Sequence, residues 1–549
     1  MSSPAGRHTD VLSFAFEGSA DYDEHRPLYI DAKNPASCLN ASQLRRLVRT
    51  LIAGLRCYIK RGDCVMIHLE NNYVYSALYF AIIGAGGVYI GASPDSSPHE
   101  IMSFLDLGEP KLIITSNRTL QAILDISSSK GFSSKQVCLF DEPTISNFLQ
   151  SNPNDPSDAA HLTIDHLLSH GEGDWNRIDD ESLSKTTPAA IYCTSGTSGL
   201  PKAAVLSHYA IISQHLNIHY EVPYHVRRLL VVPMYHRFGA LWHTFPIRQG
   251  EPAYLLPKFD VVQFLKAAHR HQITDTYIVP AMVHILNLTT QPAKELLSSM
   301  RLVDVAGAPI DTASMHKFQT LLHKDGTVSQ SWGMTETGPV FLNKYGEPHD
   351  KASIGKLVGT NEVKLLDDHD NIISDDESPG ELCIRGSGLL TTYQRRSDGK
   401  DEQGWFRTGD VAYRNNGSYF LFGRTKEIIK VRGYQVAPAE IESVLLTHPD
   451  ITDAAVLGVQ SSDKTTEVPR AYVVRSQSPS GTKISIDEIY RFAQARLAGY
   501  KALDGGVVFV TDIPRTASGK IQRAKLGQMN AQRDRIAQIL SRRVTEVVV

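Results

Sequence analysis

Apolar positions along this chain fall into two alternating patterns. Val65-Met66-Ile67-His68-Leu69 is a nearly continuous apolar run of strand length. Residues 75–83 then read as a helix. Further strand-like runs lie at 189–193, 229–233, 276–279 and 302–306, and residues 207–212 read as a helix with Ser207 as its N-cap. Such alternation predicts α/β layers built on largely parallel sheets, with ligands beyond the carboxyl ends of the strands. Residues 127–188 are rich in Ser, Asp, Asn and Pro, and predict surface loops and variable insertions. Past about residue 362 the runs shorten: 381–386 and 418–423 suggest a small β-rich subdomain. A helix at 438–446 and strands at 454–459 and 471–474 then suggest a small α+β terminal domain.

Composition narrows the class. A length of 549 residues exceeds what one hydrophobic core serves. A hydrophobic content of 42% with 21% charged residues is that of a soluble globular protein, and a net charge of −3 gives no general attraction to nucleic acid or anionic membrane. No apolar segment follows the first charged residues, no apolar stretch is long enough to span a bilayer, and Val547-Val548-Val549 is not a peroxisomal address, so the expectation is a cytoplasmic enzyme. The six cysteines form no Cys-x-x-Cys pair and match no zinc spacing, which predicts buried, reduced thiols.

The strand-like run 189–193 leads into Thr194-Ser195-Gly196-Thr197-Ser198-Gly199-Leu200-Pro201-Lys202. Glycines let backbone N–H groups approach oxygens, hydroxyls donate further bonds, and lysine adds charge, so this composition suits a polyphosphate. Pro201 before Lys202 rules out a Walker A loop. Short Gly/Ser/Thr runs also serve as surface linkers, and the loop alone does not decide between the two.

Other segments accompany it: Met234-Tyr235-His236, Gly307-Ala308-Pro309, Ser331-Trp332-Gly333-Met334-Thr335-Glu336-Thr337-Gly338-Pro339, Trp405-Phe406-Arg407-Thr408-Gly409-Asp410, Gly423-Arg424-Thr425-Lys426 with Gly433, and Pro514-Arg515-Thr516-Ala517-Ser518-Gly519-Lys520. In this order, over about residues 40 to 530, they resemble the adenylate-forming superfamily of acyl-CoA ligases, firefly luciferase and peptide-synthetase adenylation domains. Gln435-Val436-Ala437-Pro438 looks most like the coumarate–CoA ligase branch.

The resemblance implies a fold: a large N-terminal domain of stacked α/β subdomains with a small β-rich one (residues 1–423), a hinge (424–426), and a small mobile α+β C-terminal domain (427–549). It implies a reaction in two halves. A carboxylate attacks the α-phosphorus of ATP and releases pyrophosphate; a thiol then displaces AMP from the acyl-adenylate. Two anions must meet, so cations and donors must surround the phosphorus. By resemblance Lys520 bridges carboxylate and phosphate, Thr335 binds the α-phosphate, and Glu336 holds Mg²⁺. Asp410 takes the ribose hydroxyls, with Arg424 near ribose and phosphate, and Lys430 and Gln435 face the nucleotide in one domain pose. Trp332 stacks on adenine opposite Gly307, Ala308 and Pro309, while Gly333 and Met334 continue the nucleotide wall. Lys426 is the pivot, and Arg432 with Gly433 meets CoA.

His236 resembles the histidine at the acid pocket's entrance, and Phe238, Val305, Ala306, Gly333, Val340 and Phe341 are its candidate walls. They are apolar, which points to an aryl, arylalkanoic or medium-chain acid; an amino acid would want a carboxylate for its ammonium. Bland readings stand beside these: a solvated Lys520, a packed Trp332, a structural His236, a surface Arg432. Ala203, Val305-Ala306 and Trp332 depart from the family's usual residues, but none removes a catalytic group. The implied activity is an AMP-forming acid–thiol ligase using ATP, Mg²⁺ and coenzyme A. The alternatives are a stand-alone enzyme loading a carrier-protein phosphopantetheine and, from another class, a nucleotide-binding regulator without turnover.

Overall fold

A computed structural model describes residues 9–528 apart from 19, 151–160, 195–201, 395–398, 433, 462–464, 477–483 and 516–519. The fold is mixed α/β and divides into two compact units. One holds the chain up to Gly307 together with Ser314–Val363 and Ile384–Arg407; the other holds Ala308–Ala313, Lys364–Cys383 and the chain from Thr408.

In the first unit an eight-stranded sheet runs in the spatial order Thr392–Tyr393, Lys202–Ser207, Pro188–Thr194, Val88–Gly91, Cys64–His68, Leu112–Ser116, Val137–Phe140, Leu162–Thr163. Its strands are parallel from Pro188–Thr194 onward, while Lys202–Ser207 pairs antiparallel with both its neighbours. The apolar stretch at 75–83 forms the helix Tyr75–Gly84, in which every residue is buried. A helix apolar all round belongs inside a core, as its sequence indicates. A seven-stranded sheet carries Leu302–Val305 and Asp275–Ile278 side by side, and all its pairings but one are parallel. Ser207 caps the helix His208–Ile218, accepting from the Ala210 N–H at 3.2 Å. A third sheet joins Trp332–Met334, Gly338–Leu342 and Lys356–Leu357.

Three expectations change. Residues 127–188 contain the strands Val137–Phe140 and Leu162–Thr163 and the helices Glu142–Leu149, Ile164–Leu168 and Glu181–Thr186. The two strands sit at a sheet edge, and the elements bury a few side chains each, such as Ile145, Phe148 and Leu167. A polar composition therefore hides them. The run 229–233 is a strand only over Arg228–Leu230: it starts at a buried arginine paired with Glu251 and ends ahead of Pro233, which has no N–H for a ladder. All six cysteines are free, and Cys64, Cys138 and Cys383 are buried, but Cys57 is exposed. It lies just past the surface end of the helix Ala41–Leu55, with Sγ 3.7 Å from His170 Nδ1. Among the described residues no helix is long and apolar enough to cross a membrane.

The second unit holds most of a four-stranded sheet, Glu362–Leu366, Gly380–Arg385, Phe406–Asn415 and Ser418–Arg424. After it come the hairpin Ile429–Val431 with Tyr434–Val436 and a three-stranded sheet of Ile451–Gln460, Glu467–Arg475 and Val507–Val510. The helices Pro438–Leu446 and Ile486–Gln494 contribute Ile441, Leu445, Ile489 and Ala493 to one core with Ala454, Val456, Ala471 and Val473.

Candidate active site

Thr194 and Lys202 face each other across the antiparallel pair that ends the phosphate-type loop. Ser195, Gly196, Thr197, Ser198 and Gly199 lie outside the described residues. On the other side of the Lys202–Ser207 strand, Tyr393 pairs with Ala204, and the Gln394 N–H donates to the Ala203 carbonyl at 2.8 Å. That pairing brings the Tyr393 ring beneath the Lys202 ammonium, 5.2 Å from Nζ to the ring centroid. The Tyr393 hydroxyl donates to Glu336 Oε1 at 2.8 Å, and the Leu390 N–H donates to the Glu336 carbonyl at 2.6 Å. Burial first, then the Glu336 charge, pushes the Tyr393 phenol well above its ordinary range, so the ring stays a neutral donor. Thr335, Glu336 and Thr337 are all buried, and the Thr337 hydroxyl donates to the Gly338 carbonyl at 2.8 Å.

A carboxylate in this position suits a hard divalent cation. Among the described residues no three His, Cys, Asp or Glu side chains converge, so Glu336 would hold such a cation as a single carboxylate.

Beneath the same corner lies a buried polar bridge. Arg237 Nε donates to Gln214 Oε1 at 2.7 Å, and Gln214 Nε2 donates to the Gly388 carbonyl at 2.6 Å. Gln214 packs where a side chain on Gly338 (φ +65°) would stand, 2.2 Å from its Cδ, so only glycine fits. The bridge ties the histidine loop to the Glu336 loop and to the segment that delivers Tyr393. His236 caps the short helix Arg237–Ala240, its Nδ1 accepting from the Phe238 N–H at 3.4 Å, and both His236 and Phe238 are half-buried.

Val305 ends one strand and Ala306 follows it, both buried, and Trp332 pairs across from Phe341 with ring centroids 5.8 Å apart. Val340 and Phe341 are fully buried and Met334 is half-buried. A Cβ on Gly333 would stand 2.5 Å from the Gly338 carbonyl, which explains the glycine. Behind this strand pair the Ser331 hydroxyl donates to Asp304 Oδ2 at 2.6 Å; burial raises the Asp304 carboxyl to about 6 against that bond. Gly307 (φ +90°) belongs to the first unit, Ala308 and Pro309 to the second.

In the second unit Asp410 is buried and pairs with Arg424, Oδ1 to Nε 3.0 Å, across the hairpin that joins their strands. Its backbone N–H is fixed by the Thr408 hydroxyl at 3.1 Å. Exposed Lys426 follows directly, in a turn where the Glu427 N–H donates to the Arg424 carbonyl at 2.8 Å. Lys430 and Gln435 face each other in the next hairpin, both exposed, with Gln435 Nε2 3.3 Å from Asp368 Oδ2. Arg432 holds a left-handed backbone (φ +49°), its N–H donating to the Thr466 hydroxyl at 2.7 Å; Gly433 lies outside the described residues.

Half-buried Lys520 lies next to Ile521, which bridges Arg515; residues 516–519 between them lie outside the described residues. Both flanks are pinned. Arg515 pairs with Asp453 at 2.7 Å. Arg523 pairs with Glu442 at 2.5 Å and with Glu427 at 2.8 Å. Burial works against the Arg523 charge, but Glu442 and then Glu427 outweigh it and raise its pKa. Tyr393, Arg523 and the Gln214–Arg237 bridge escaped the sequence reading. Arg523 could have been found as a charged residue inside the apolar spacing that follows Lys520.

Residues 16–394 match the AMP-binding enzyme family, and residues 440–520 match the AMP-binding enzyme C-terminal domain. The chain is 48% identical over 545 residues to a nicotinic acid-CoA ligase of Penicillium canescens, covering 97% of this chain and 100% of that one. It is also 48% identical over 573 residues to a nicotinic acid-CoA ligase of Aspergillus fumigatus, covering 97% and 98%. Its fold superposes on an anthranilate CoA ligase in complex with anthranoyl-AMP with a TM-score of 0.82 at 20% identity, over 96% of this chain and 98% of that one. These relatives are enzymes, and the reading as a regulator without turnover falls away. The chain belongs to the AMP-binding enzymes, the adenylate-forming superfamily, on its acyl-CoA ligase side.

Proposed function

We propose that this AMP-forming acid–CoA ligase activates an aromatic monocarboxylic acid, with a pyridine carboxylic acid such as nicotinic acid as the first candidate. The observation that carries the reading is near-full-length identity of 48% to two nicotinic acid-CoA ligases. The candidate acid pocket supports it: Phe238, Val305, Ala306, Val340 and Phe341 are apolar, and none could neutralise a substrate ammonium.

In this reading the acid enters past His236 and its ring lies against those walls. ATP lies with adenine on Trp332, beside Gly307, Ala308 and Pro309, and with its ribose hydroxyls on Asp410. Thr194, the loop after it and Lys202 take the phosphates. Magnesium at Glu336 supplies charge neutralisation on the phosphate oxygens. Lys520 brings its ammonium to the carboxylate and the α-phosphate, lowering the repulsion between two anions. The carboxylate oxygen bonds to the α-phosphorus, the α–β bridging bond breaks, and pyrophosphate leaves. Rotation about Lys426 then withdraws Lys520 and turns Lys430, Gln435, Arg432 and Gly433 toward the site. The CoA thiol loses its proton to solvent, its sulfur bonds to the acyl carbon, and AMP leaves with the electron pair of the broken C–O bond.

The test is a panel of nicotinic, benzoic, phenylacetic and hexanoic acids with ATP and Mg²⁺, read by pyrophosphate release. Products with CoA or with a carrier-protein phosphopantetheine are weighed by mass spectrometry. Nicotinoyl-CoA as the main product is the expected outcome. Preference for hexanoic acid overturns the aromatic assignment, and acyl transfer to the carrier protein alone overturns the CoA assignment.

A further inference from the structure

Tyr393 stands between two opposite charges, and the mechanism above gives it no task. Its ring carries the Lys202 ammonium on one face at 5.2 Å, while its hydroxyl donates to Glu336 Oε1 at 2.8 Å. Tyr393 and Glu336 are both buried, at 7% and 6% exposure, and Lys202 is half-buried. Opposite charges in such a place attract strongly, because little water screens them. A lysine paired with that glutamate would hold neither phosphate nor metal.

Tyr393 itself is held from two sides. Its strand pairs with Lys202–Ser207, and the Thr391 N–H donates to the Val205 carbonyl at 2.8 Å. The Leu390 N–H donates to the Glu336 carbonyl at 2.6 Å, so the tyrosine segment and the glutamate loop are joined through the main chain as well. Below them Gln214 reaches the Gly388 carbonyl at 2.6 Å. The ring therefore has little freedom to leave its place.

We propose that Tyr393 is a positioning residue that keeps Glu336 and Lys202 apart and each aimed outward, so that the carboxylate stays available to a divalent cation and the ammonium to a polyphosphate. A neutral ring offers the ammonium its electron-rich face without taking its charge. The hydroxyl fixes one carboxylate oxygen and leaves the carboxylate's net charge intact. The inference rests on the reading of Glu336 as the magnesium residue and Lys202 as a phosphate residue.

The experiment is calorimetric titration of ATP, in Mg²⁺ and in EDTA, onto the full-length protein and its variants. Tyr393→Phe keeps the ring and removes one oxygen. It should cut the affinity gained from Mg²⁺ about tenfold, the scale of one hydrogen bond to a charged group, and leave binding in EDTA within about twofold. In a Lys202→Gln background the same substitution should cost less than about threefold, because no ammonium remains to capture the carboxylate. An unchanged magnesium gain in Tyr393→Phe overturns the proposal. So does a tenfold loss that persists in full without Lys202. Glu336→Gln, titrated alongside, separates the two layers: if it leaves the magnesium gain intact, the glutamate assignment fails, whatever the tyrosine variants show.

Discussion

Lys202 and Lys520 carry the same ammonium group on different supports. Lys202 belongs to a strand paired on both sides, and its head rests over an aromatic ring. Its position is set by the sheet. Lys520 lies between Arg515 and Arg523, whose ion pairs and the bridge of Arg515 to Ile521 fix the described segments on either side of it. Its position is set by charges anchored to neighbouring elements, Glu427 just past the proposed pivot and Glu442 on the helix Pro438–Leu446. In the proposed mechanism the first lysine stays with its ligand through both half-reactions, and the second is delivered for one half and withdrawn for the other.

Lys520→Ala tests that difference most severely. It should lower pyrophosphate release from acid and ATP by about a thousandfold, the scale of losing one preorganised charge at a transition state, and leave CoA transfer to a supplied acyl-adenylate within a few-fold. Equal losses in both halves would erase the contrast between a fixed and a delivered lysine.

Arg523→Ala addresses the anchoring. It leaves Glu427 and Glu442 facing each other without their shared cation, and should cost about 3–5 kcal/mol in urea unfolding followed by circular dichroism. A cost under about 1 kcal/mol would mean that the Arg523 ion pairs do not hold this segment in place.

A third test probes the first unit's sheet-bound support through pH. Burial lowers His68 and His208 to about 4 and His243 to about 3. The folded state then binds fewer protons than the unfolded chain below the ordinary histidine range, so these groups make stability fall as pH drops from about 6.5 toward 4. Asp275 and Asp304, raised to about 6, act in the opposite sense over part of that window. The readout is therefore a difference: His68→Gln should flatten the fall by roughly 3 kcal/mol at pH 4 relative to pH 7. Parallel curves for the two proteins would show that His68 titrates in the folded state as it does in the unfolded chain.

The candidate site residues that the sequence offers lie in contiguous motifs. The loop ending in Lys202, the Thr335-Glu336 pair and the segment ending in Lys520 are picked out together by their family resemblance in order along the chain. The parts it hid are those made by sheet pairing and tertiary charge. Tyr393 reaches Glu336 across 57 residues, and Arg523 reaches Glu427 across 96 and Glu442 across 81. No spacing rule connects such positions. The alternation of runs foretold the two large parallel layers, because strands buried on both faces are apolar throughout. It missed the edge elements between 137 and 168, whose single buried face leaves too few apolar positions to register.

The two-residue strand Thr392–Tyr393 also has a protective consequence. Among the described residues it is the last strand on its side of the eight-stranded sheet and covers the ladder of Lys202–Ser207, whose Ala203-Ala204-Val205-Leu206 core is apolar. Proteolysis that removed this short cover would bare a sticky edge, and one damaged molecule could then template aggregation of the next.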